Sequence, residues 1–171
     1  MDPSKSAAAE QLLYGIEGVL SEVDPELYFE VLLVCASGDG FVAPEERAWV
    51  SGLADAVGGA ALAEKVRAYQ PSGDVFRVLY GRQIPHYARR LVVYDGIRAC
   101  AADRDLGEGE WEAVMALASA VGVGDEEIRL IKRLIRDERA LVERRRDVLF
   151  PDELPGSRGG RAARAGGPSP P

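Results

Sequence analysis

Two aspartate–glutamate pairs are the residues of this chain whose types and spacing best suit a chemical role. Glu46 follows Asp39 by seven positions, and Glu110 follows Asp103 by the same seven positions. Carboxylate oxygens are the preferred ligands of hard divalent cations, which take about six to eight oxygens in proteins. If the two pairs meet in the fold, they predict a binding site for Ca²⁺, Mg²⁺ or Mn²⁺.

The two pairs belong to an internal repeat. A shift of 64 positions places Leu33–Gly58 on Ile97–Gly122 without a gap, with 8 identities in 26 positions. Identical Val, Leu and Ala residues are expected wherever two amphipathic helices are compared. The identical Asp and Glu residues are not explained by packing. The repeat therefore predicts a duplicated unit in which a helix, an acidic loop and a second helix follow one another.

The loop segments carry a resemblance to a known family. Residues 36–47 read ASGDGFVAPEER and residues 101–110 read AADRDLGEGE. These segments resemble the paired A-A-D-G-x-hydrophobic-x-x-x-E segments of tellurite-resistance TerB-like domains, over roughly Tyr28 to Ile135. They are also similar to the N-terminal domain of a membrane-anchored DnaJ-like co-chaperone. The resemblance implies an all-helical fold and a divalent-cation site near the acidic loops, for which Asp105 and Glu45 are further candidate ligands.

The chain departs from the family pattern at four loop positions. Gly38 stands in place of the second small Ala in the first copy, and Arg104 replaces the loop Gly in the second. The polar residue that normally caps the following helix is Ala43 in one copy and Gly107 in the other. These departures concern how the loops are held and leave the four paired carboxylates in place.

A structural role is the alternative explanation for the same carboxylates. Asp39 and Asp103 can accept hydrogen bonds from loop amides, and Glu46 and Glu110 can reach back to backbone N–H groups as the Glu of a capping box does. A helix N-terminus carries about half a positive charge, which repels a cation. On the sequence alone this capping role is favoured over metal binding.

The apolar periodicity predicts an all-α fold, a compact bundle of about seven to eight helices. We assign residues 1–6 to a disordered N-terminus, 7–150 to the helical TerB-like domain, and 151–171 to a disordered tail rich in Pro, Gly and Arg. In the last helix an apolar stripe of Ile128, Ile131, Ile135 and Val142 is predicted to be buried. The predicted helices are 7–22, 25–37, 44–58, 60–69, 74–80, 85–102, 108–121 and 125–149.

The charge distribution is uneven. The formal net charge is −7, which argues against nucleic-acid binding because that requires many Lys and Arg contacts to phosphate. Residues 151–171 contribute +1, so the remainder carries −8. The last helix is nevertheless rich in arginine, and Arg133, Arg136 and Arg139 are the candidate contacts for an acidic protein partner or an acidic membrane surface. A solvated helix face is the structural alternative.

Several other functions are disfavoured by composition. His86 is the single histidine, so the chain lacks the residues for a histidine-based zinc site or a Ser-His-Asp triad. Cys35 and Cys100 are predicted to be buried packing residues. No apolar run approaches the roughly 18 residues of a membrane span, and residues 1–9 do not form a signal peptide, which favours a cytoplasmic location.

Two hypotheses follow for the function. The first is a non-enzymatic stress-response module of the TerB-like type that binds a divalent cation at the acidic loops and acts through a protein partner. The second is a metal-free helical interaction scaffold, or a co-chaperone-like module.

Overall fold

The computed structural model describes residues 3–20, 22–72, 74–103 and 106–151, and within these ranges it contains eight α-helices and no strand. The predicted all-α fold of seven to eight helices is confirmed. Two predicted regions, the tail beyond Pro151 and the candidate ligand Asp105, lie outside the described residues. The helices are α1 Pro3–Tyr14, α2 Pro25–Ala36, α3 Pro44–Gly58, α4 Ala60–Ala68, α5 Val75–Leu79, α6 Arg89–Cys100, α7 Glu108–Val121 and α8 Asp125–Leu149.

The first helix differs most from its predicted bounds. It was predicted over residues 7–22, after a disordered segment, but α1 begins at Pro3 and ends at Tyr14. Proline is tolerated in the first turn of a helix, and the alanines that follow are strong helix formers, so the early start is physically reasonable. The helix ends early because Gly15 adopts a positive φ of 73° that terminates it.

The predicted helix over 85–102 is divided in two. Residues His86–Ala88 form a 3₁₀ turn, in which the Ala88 N–H donates to the Pro85 carbonyl at 2.9 Å, and α6 follows from Arg89. Such turns are common at helix N-termini. His86 is exposed there.

Helix α2 is the central helix of the core. Nine of its twelve residues are buried, so it is apolar on all sides, and it packs against α3, α4, α5, α6 and α7. A helix that is apolar all round must be enclosed by other helices. Because α2 and α6 begin the two copies of the repeat and pack together, the loops that follow them emerge side by side.

The chain divides into two compact units, Met1–Ile135 and Arg136–Pro171. In the first unit Ile128, Ile131 and Ile135 of α8 are buried, as predicted. Val142 lies in the second unit and is 60% exposed, so its predicted burial is wrong. Periodicity identifies the apolar face of a helix, but burial also requires another element to cover that face.

A buried polar cluster joins three helices of the first unit. Oδ2 of Asp95 in α6 accepts hydrogen bonds from the Tyr14 hydroxyl of α1 at 2.8 Å and from the Tyr28 hydroxyl of α2 at 2.7 Å. Asp95 is fully buried. Burial, reinforced by the nearby Asp95 charge, raises the pKa of Tyr28 well above its ordinary range, so the phenol remains a donor. The cluster fixes the end of α1 to the core.

Candidate functional site

The two acidic loops begin and end with the same backbone geometry. Ser37 follows α2 with φ −95° and ψ 10°. Ala101 follows α6 with φ −93° and ψ 13°. Ala43 precedes α3 with φ −61° and ψ 151°, and Gly107 precedes α7 with φ −62° and ψ 160°. The predicted helix–loop–helix repeat is therefore a structural repeat, and it places equivalent residues at equivalent positions.

The two glutamates of the repeat cap the N-termini of their own helices. Oε2 of Glu46 accepts from the Ala43 N–H at 2.7 Å, and Oε2 of Glu110 accepts from the Gly107 N–H at 2.7 Å. This is the reciprocal half of a capping box, and it explains how helices preceded by Ala and Gly are capped without a polar side chain at that position. The capping role predicted for both glutamates is confirmed.

The aspartate of the first loop acts on the other copy of the repeat. Oδ1 of Asp39 accepts from the Gly109 N–H at 2.9 Å, in the first turn of α7. The sequence predicts that Asp39 accepts a hydrogen bond from a loop amide, and the structure gives it the amide of Gly109, at the start of the helix that follows the other loop. A carboxylate at a helix N-terminus satisfies an unpaired donor and lies at the positive end of the helix dipole. Asp39 thereby joins the two acidic loops.

Three glycines allow this contact. A Cβ atom on Gly107 or Gly109 would overlap the Asp39 carboxylate, and one on Gly38 would overlap the Gly109 backbone. The sequence shows Gly107 and Gly109 flanking Glu108 at a helix start, where glycine is a poor helix former. Two glycines at a helix start indicate that another part of the chain approaches the backbone closely there, but they were not selected from the sequence.

The four paired carboxylates line one pocket of about 100 Å³. Glu46 and Glu110 are buried, at 2% and 6% exposure, whereas the two aspartates are exposed. Glu45 does not line the pocket. Phe41, which sequence reasoning did not select, lines it and is 68% exposed. The pocket residues are Asp39, Phe41, Ala43, Glu46, Asp103, Gly107 and Glu110.

The two buried glutamates interact directly. Burial, a hydrogen bond to Glu110 and the charges of Glu110 and Asp103 together raise the pKa of Glu46 to about 8, although the Ala43 N–H acts in the opposite direction. A hydrogen bond that raises the pKa of an acid favours its protonated form, so Glu46 donates to Glu110. The two carboxyls hold a proton between them near neutral pH.

This shared proton predicts a pH-dependent stability. Because the folded pKa of Glu46 lies above the ordinary value of 4.5, the folded state retains a proton that the unfolded state releases. The contribution is complete below about pH 4.5 and is lost as the pH rises through about 8. We expect the free energy of unfolding, measured in EDTA by urea titration, to fall by roughly 1 kcal/mol per pH unit between these values.

A Glu46→Gln variant is the matched test of that prediction. Its amide can accept from the Ala43 N–H and donate to Glu110 at every pH, so the fall in stability over this range should largely disappear. Glu45→Gln, at the neighbouring position outside the pocket, should retain the wild-type profile. A Glu46→Gln profile that matches wild type would show that another group titrates.

The pocket has a donor set suited to a hard cation. Its lining offers four carboxylates, and about 100 Å³ accommodates an ion with bound water. The exposed Asp39 and Asp103 can turn toward an ion more readily than the buried glutamates, and Asp39 uses only Oδ1 for its bond to the Gly109 N–H. Among the described side chains, no three His, Cys, Asp or Glu residues are already grouped as ligands of one metal.

The three arginines selected from the sequence are all exposed on α8. Arg133 belongs to the first unit, and Arg136 and Arg139 belong to the second. The Arg136 guanidinium lies 3.8 Å from the Asp137 carboxylate, an exposed pair of small energetic value. Partner binding by these arginines stays a prediction.

Other sequence predictions concern the core around the site. Cys35 and Cys100 are both buried and free, as predicted. Burial raises the pKa of the Cys35 thiol to about 12, so it stays protonated and unreactive at neutral pH. None of the helices in the described ranges is long and apolar enough to cross a membrane.

Comparison with known proteins identifies the fold. No family model and no curated protein sequence matches the chain. The crystal structure of a tellurite resistance protein from Nostoc punctiforme is similar to it with a TM-score of 0.71 and 26% sequence identity. The match covers 89% of this chain and 96% of that one. Together with the duplicated acidic loops and the all-helical fold, this match supports the resemblance of the chain to the TerB-like tellurite-resistance proteins.

Proposed function

We propose that this chain is a cytoplasmic, non-enzymatic stress-response module that binds a divalent cation at the acidic pocket and acts through a protein partner. The observation that carries the proposal is the convergence of Asp39, Glu46, Asp103 and Glu110 on one pocket. These residues come from two loops 64 positions apart. The stress-response role is extended to this chain from its structural neighbour, a tellurite resistance protein.

The four carboxylates would have different roles in holding the cation. Asp39 and Asp103 are exposed and would supply oxygens directly. Glu46 and Glu110 use Oε2 for their caps, which leaves Oε1 of each for the ion. The cation would supply the positive charge that now comes from the proton between the glutamates, and Phe41 would shield one side of the pocket from water.

A specific observation also favours the second candidate, a metal-free interaction scaffold. Three of the four carboxylates already accept hydrogen bonds from helix N-termini, at 2.7 to 2.9 Å. Capping bonds of this kind stabilise a protein by roughly 0.5–2 kcal/mol each. In the scaffold the acidic loops hold the two halves of the repeat together, and protein partners bind elsewhere on the helices.

Cation-dependent unfolding distinguishes the two candidates. The chain is melted in EDTA and then with Ca²⁺, Mg²⁺ or Mn²⁺ added separately. A cation that binds only the folded state stabilises it by about 2.7 kcal/mol at a hundredfold excess over Kd. We expect this gain for at least one of the three cations, with binding confirmed by isothermal titration calorimetry.

The Asp39→Asn/Asp103→Asn variant locates the binding site. The amide oxygen at position 39 can still accept from the Gly109 N–H, so the contact between the loops is retained while two charges are removed. We expect this variant to fold and to lose most of the cation-dependent gain, whereas Glu45→Gln should keep it. Wild-type melting that is unaffected by all three cations would contradict metal binding and favour the scaffold.

A further inference from the structure

The C-terminal half of α8 exposes four large apolar side chains. Leu141, Val142, Val148 and Leu149 are 55%, 60%, 69% and 61% exposed. They form two adjacent pairs that are seven positions apart, which is close to two helical turns, so both pairs lie on one face. We call these four residues the apolar row. Single exposed apolar side chains are common on protein surfaces, whereas a group of large ones on one face indicates a contact surface.

Charged residues accompany the apolar row in a definite order. Glu138 lies one turn before Leu141, and Arg145 lies one turn after it, on the same face. Asp137 and Arg144 lie along one edge of that face. All of these residues belong to the second unit, Arg136–Pro171.

We propose that the apolar row is the interface of a homodimer in which the α8 helices of two chains pack antiparallel. The two-fold axis passes between Leu141 and Val142, so that each Leu141 meets Val142 of the second chain. Glu138 is three positions before Leu141 and Arg145 is three after Val142. The same axis therefore places Glu138 of each chain opposite Arg145 of the other, which gives two equivalent ion pairs.

Charge selects this orientation over the parallel one. Parallel helices in register would place Glu138 on Glu138 and Arg145 on Arg145, and like charges facing each other at an interface are unfavourable. The antiparallel arrangement replaces both repulsive contacts by opposite-charge pairs. At one edge of the interface it brings Asp137 of each chain beside Arg144 of the other, and at the opposite edge it brings Arg139 beside Arg146, so the preference for this orientation rests on Glu138 and Arg145. An isologous contact of this kind closes at two subunits.

Two other occupants fit the apolar row less well. A basic amphipathic helix binds anionic membranes, but Arg136–Phe150 contains four acidic residues against five arginines. The chain's own tail is the other candidate. Residues 152–171 contain one large apolar side chain, Leu154, which is too little to cover four. A second copy supplies a matching apolar pair, Leu141 and Val142, at the axis, and the matching charges of Glu138 and Arg145 beside it.

A charge-swap series on the full chain tests the interface. Sedimentation equilibrium over about 5–500 µM, the range suited to a small interface, should show a reversible monomer–dimer equilibrium. Glu138→Arg and Arg145→Glu should each raise the dimer dissociation constant at least tenfold, because each creates like-charge contacts. The double variant Glu138→Arg/Arg145→Glu should restore dimerisation. Glu143→Arg makes the same charge change on the opposite face and should have no effect.

Cysteine substitutions test the orientation. Under mild oxidation Val142→Cys should form a disulfide between chains, since the two copies of this residue lie beside the axis. The two copies of Val148→Cys would be about 20 Å apart along antiparallel helices, too far for a disulfide. Cys35 and Cys100 are buried, so the wild-type chain is the control for background cross-linking. Cross-linking through Val148→Cys would indicate parallel helices and overturn the proposed arrangement.

Three further results would overturn the proposal. The first is a chain that stays monomeric at the highest concentration, and the second is a dimer whose dissociation constant is unaffected by both single charge changes. The third is a monomer that binds phosphatidylserine vesicles and loses this binding in Leu141→Ser, which would identify a membrane as the occupant of the apolar row. Circular dichroism of each variant verifies the helix content, and the substituted positions lie outside the core of the first unit.

Discussion

Replacing Asp95 by alanine is expected to lower the free energy of unfolding by about 3–5 kcal/mol. Oδ2 of Asp95 is the hydrogen-bond acceptor for two phenols, Tyr14 and Tyr28, and Tyr28 is only 1% exposed. Without the carboxylate, the Tyr28 hydroxyl has lost a partner in a place that water reaches poorly. Urea unfolding followed by circular dichroism measures the loss.

A mutant cycle shows whether the loss comes from the phenols. Tyr14→Phe and Tyr28→Phe should each cost about 1.5–3 kcal/mol, the range for hydrogen bonds to a charged group. Asp95→Ala added to both Phe substitutions should cost less than it does in wild type, since no hydroxyl then remains to be left unpaired. Strictly additive losses would show that Asp95 acts independently of the two tyrosines.

Because Tyr14 ends α1, the same cycle also reports on how that helix is held. Hydrogen exchange of the α1 amides should accelerate in Tyr14→Phe more than in Tyr28→Phe. Loss of the Tyr28 hydroxyl removes a hydrogen bond within the core but leaves the Tyr14 hydrogen bond that holds the end of α1. Equal acceleration in both variants would show that α1 is held by its other packing contacts.

Gly109→Ala is expected to be strongly destabilising, with a loss of about 1–3 kcal/mol or more. The added methyl group would overlap the Asp39 carboxylate and the Gly38 backbone, so the loops must separate and the Asp39 bond to the Gly109 N–H must break. Thermal and urea unfolding measure the change. The separation of Asp39 from the pocket should also weaken any cation-dependent gain.

Gly52→Ala is the control for this substitution. Gly52 lies within α3, and a Cβ atom there meets no atom within 4 Å. The replacement should therefore stabilise the protein by roughly 0.5–1 kcal/mol, the difference between glycine and alanine in a helix. If Gly109→Ala also stabilised the protein, the close contact between the two loops would be refuted.

Much of the local structure of this chain follows from sequence. Asp24 and Pro25 predict the start of α2, and Asp24 Oδ1 accepts from the Glu26 N–H at 3.1 Å, as a capping residue should. The repeat predicts that Glu46 and Glu110 are equivalent, and both make the same capping bond. These features were predictable because each depends on residues within one turn of each other.

The sequence also predicted which four carboxylates share a site, since their spacing recurs in the two copies of the repeat. What they do within that site depends on the packing of α2 against α6. That packing brings the two loops close enough for Asp39 to cap α7 and for Glu46 to share a proton with Glu110. These contacts join residues about 64 to 70 positions apart, and no local pattern encodes them.

Tertiary structure decided the remaining features for the same reason. Asp95 reads as a polar residue within a helix, yet it is fully buried because two tyrosines from other helices supply its hydrogen bonds. Val142 continues an apolar stripe in the sequence, yet it is exposed. Hydrophobic periodicity determines which face of a helix is apolar, whereas burial is determined by the elements that pack against that face.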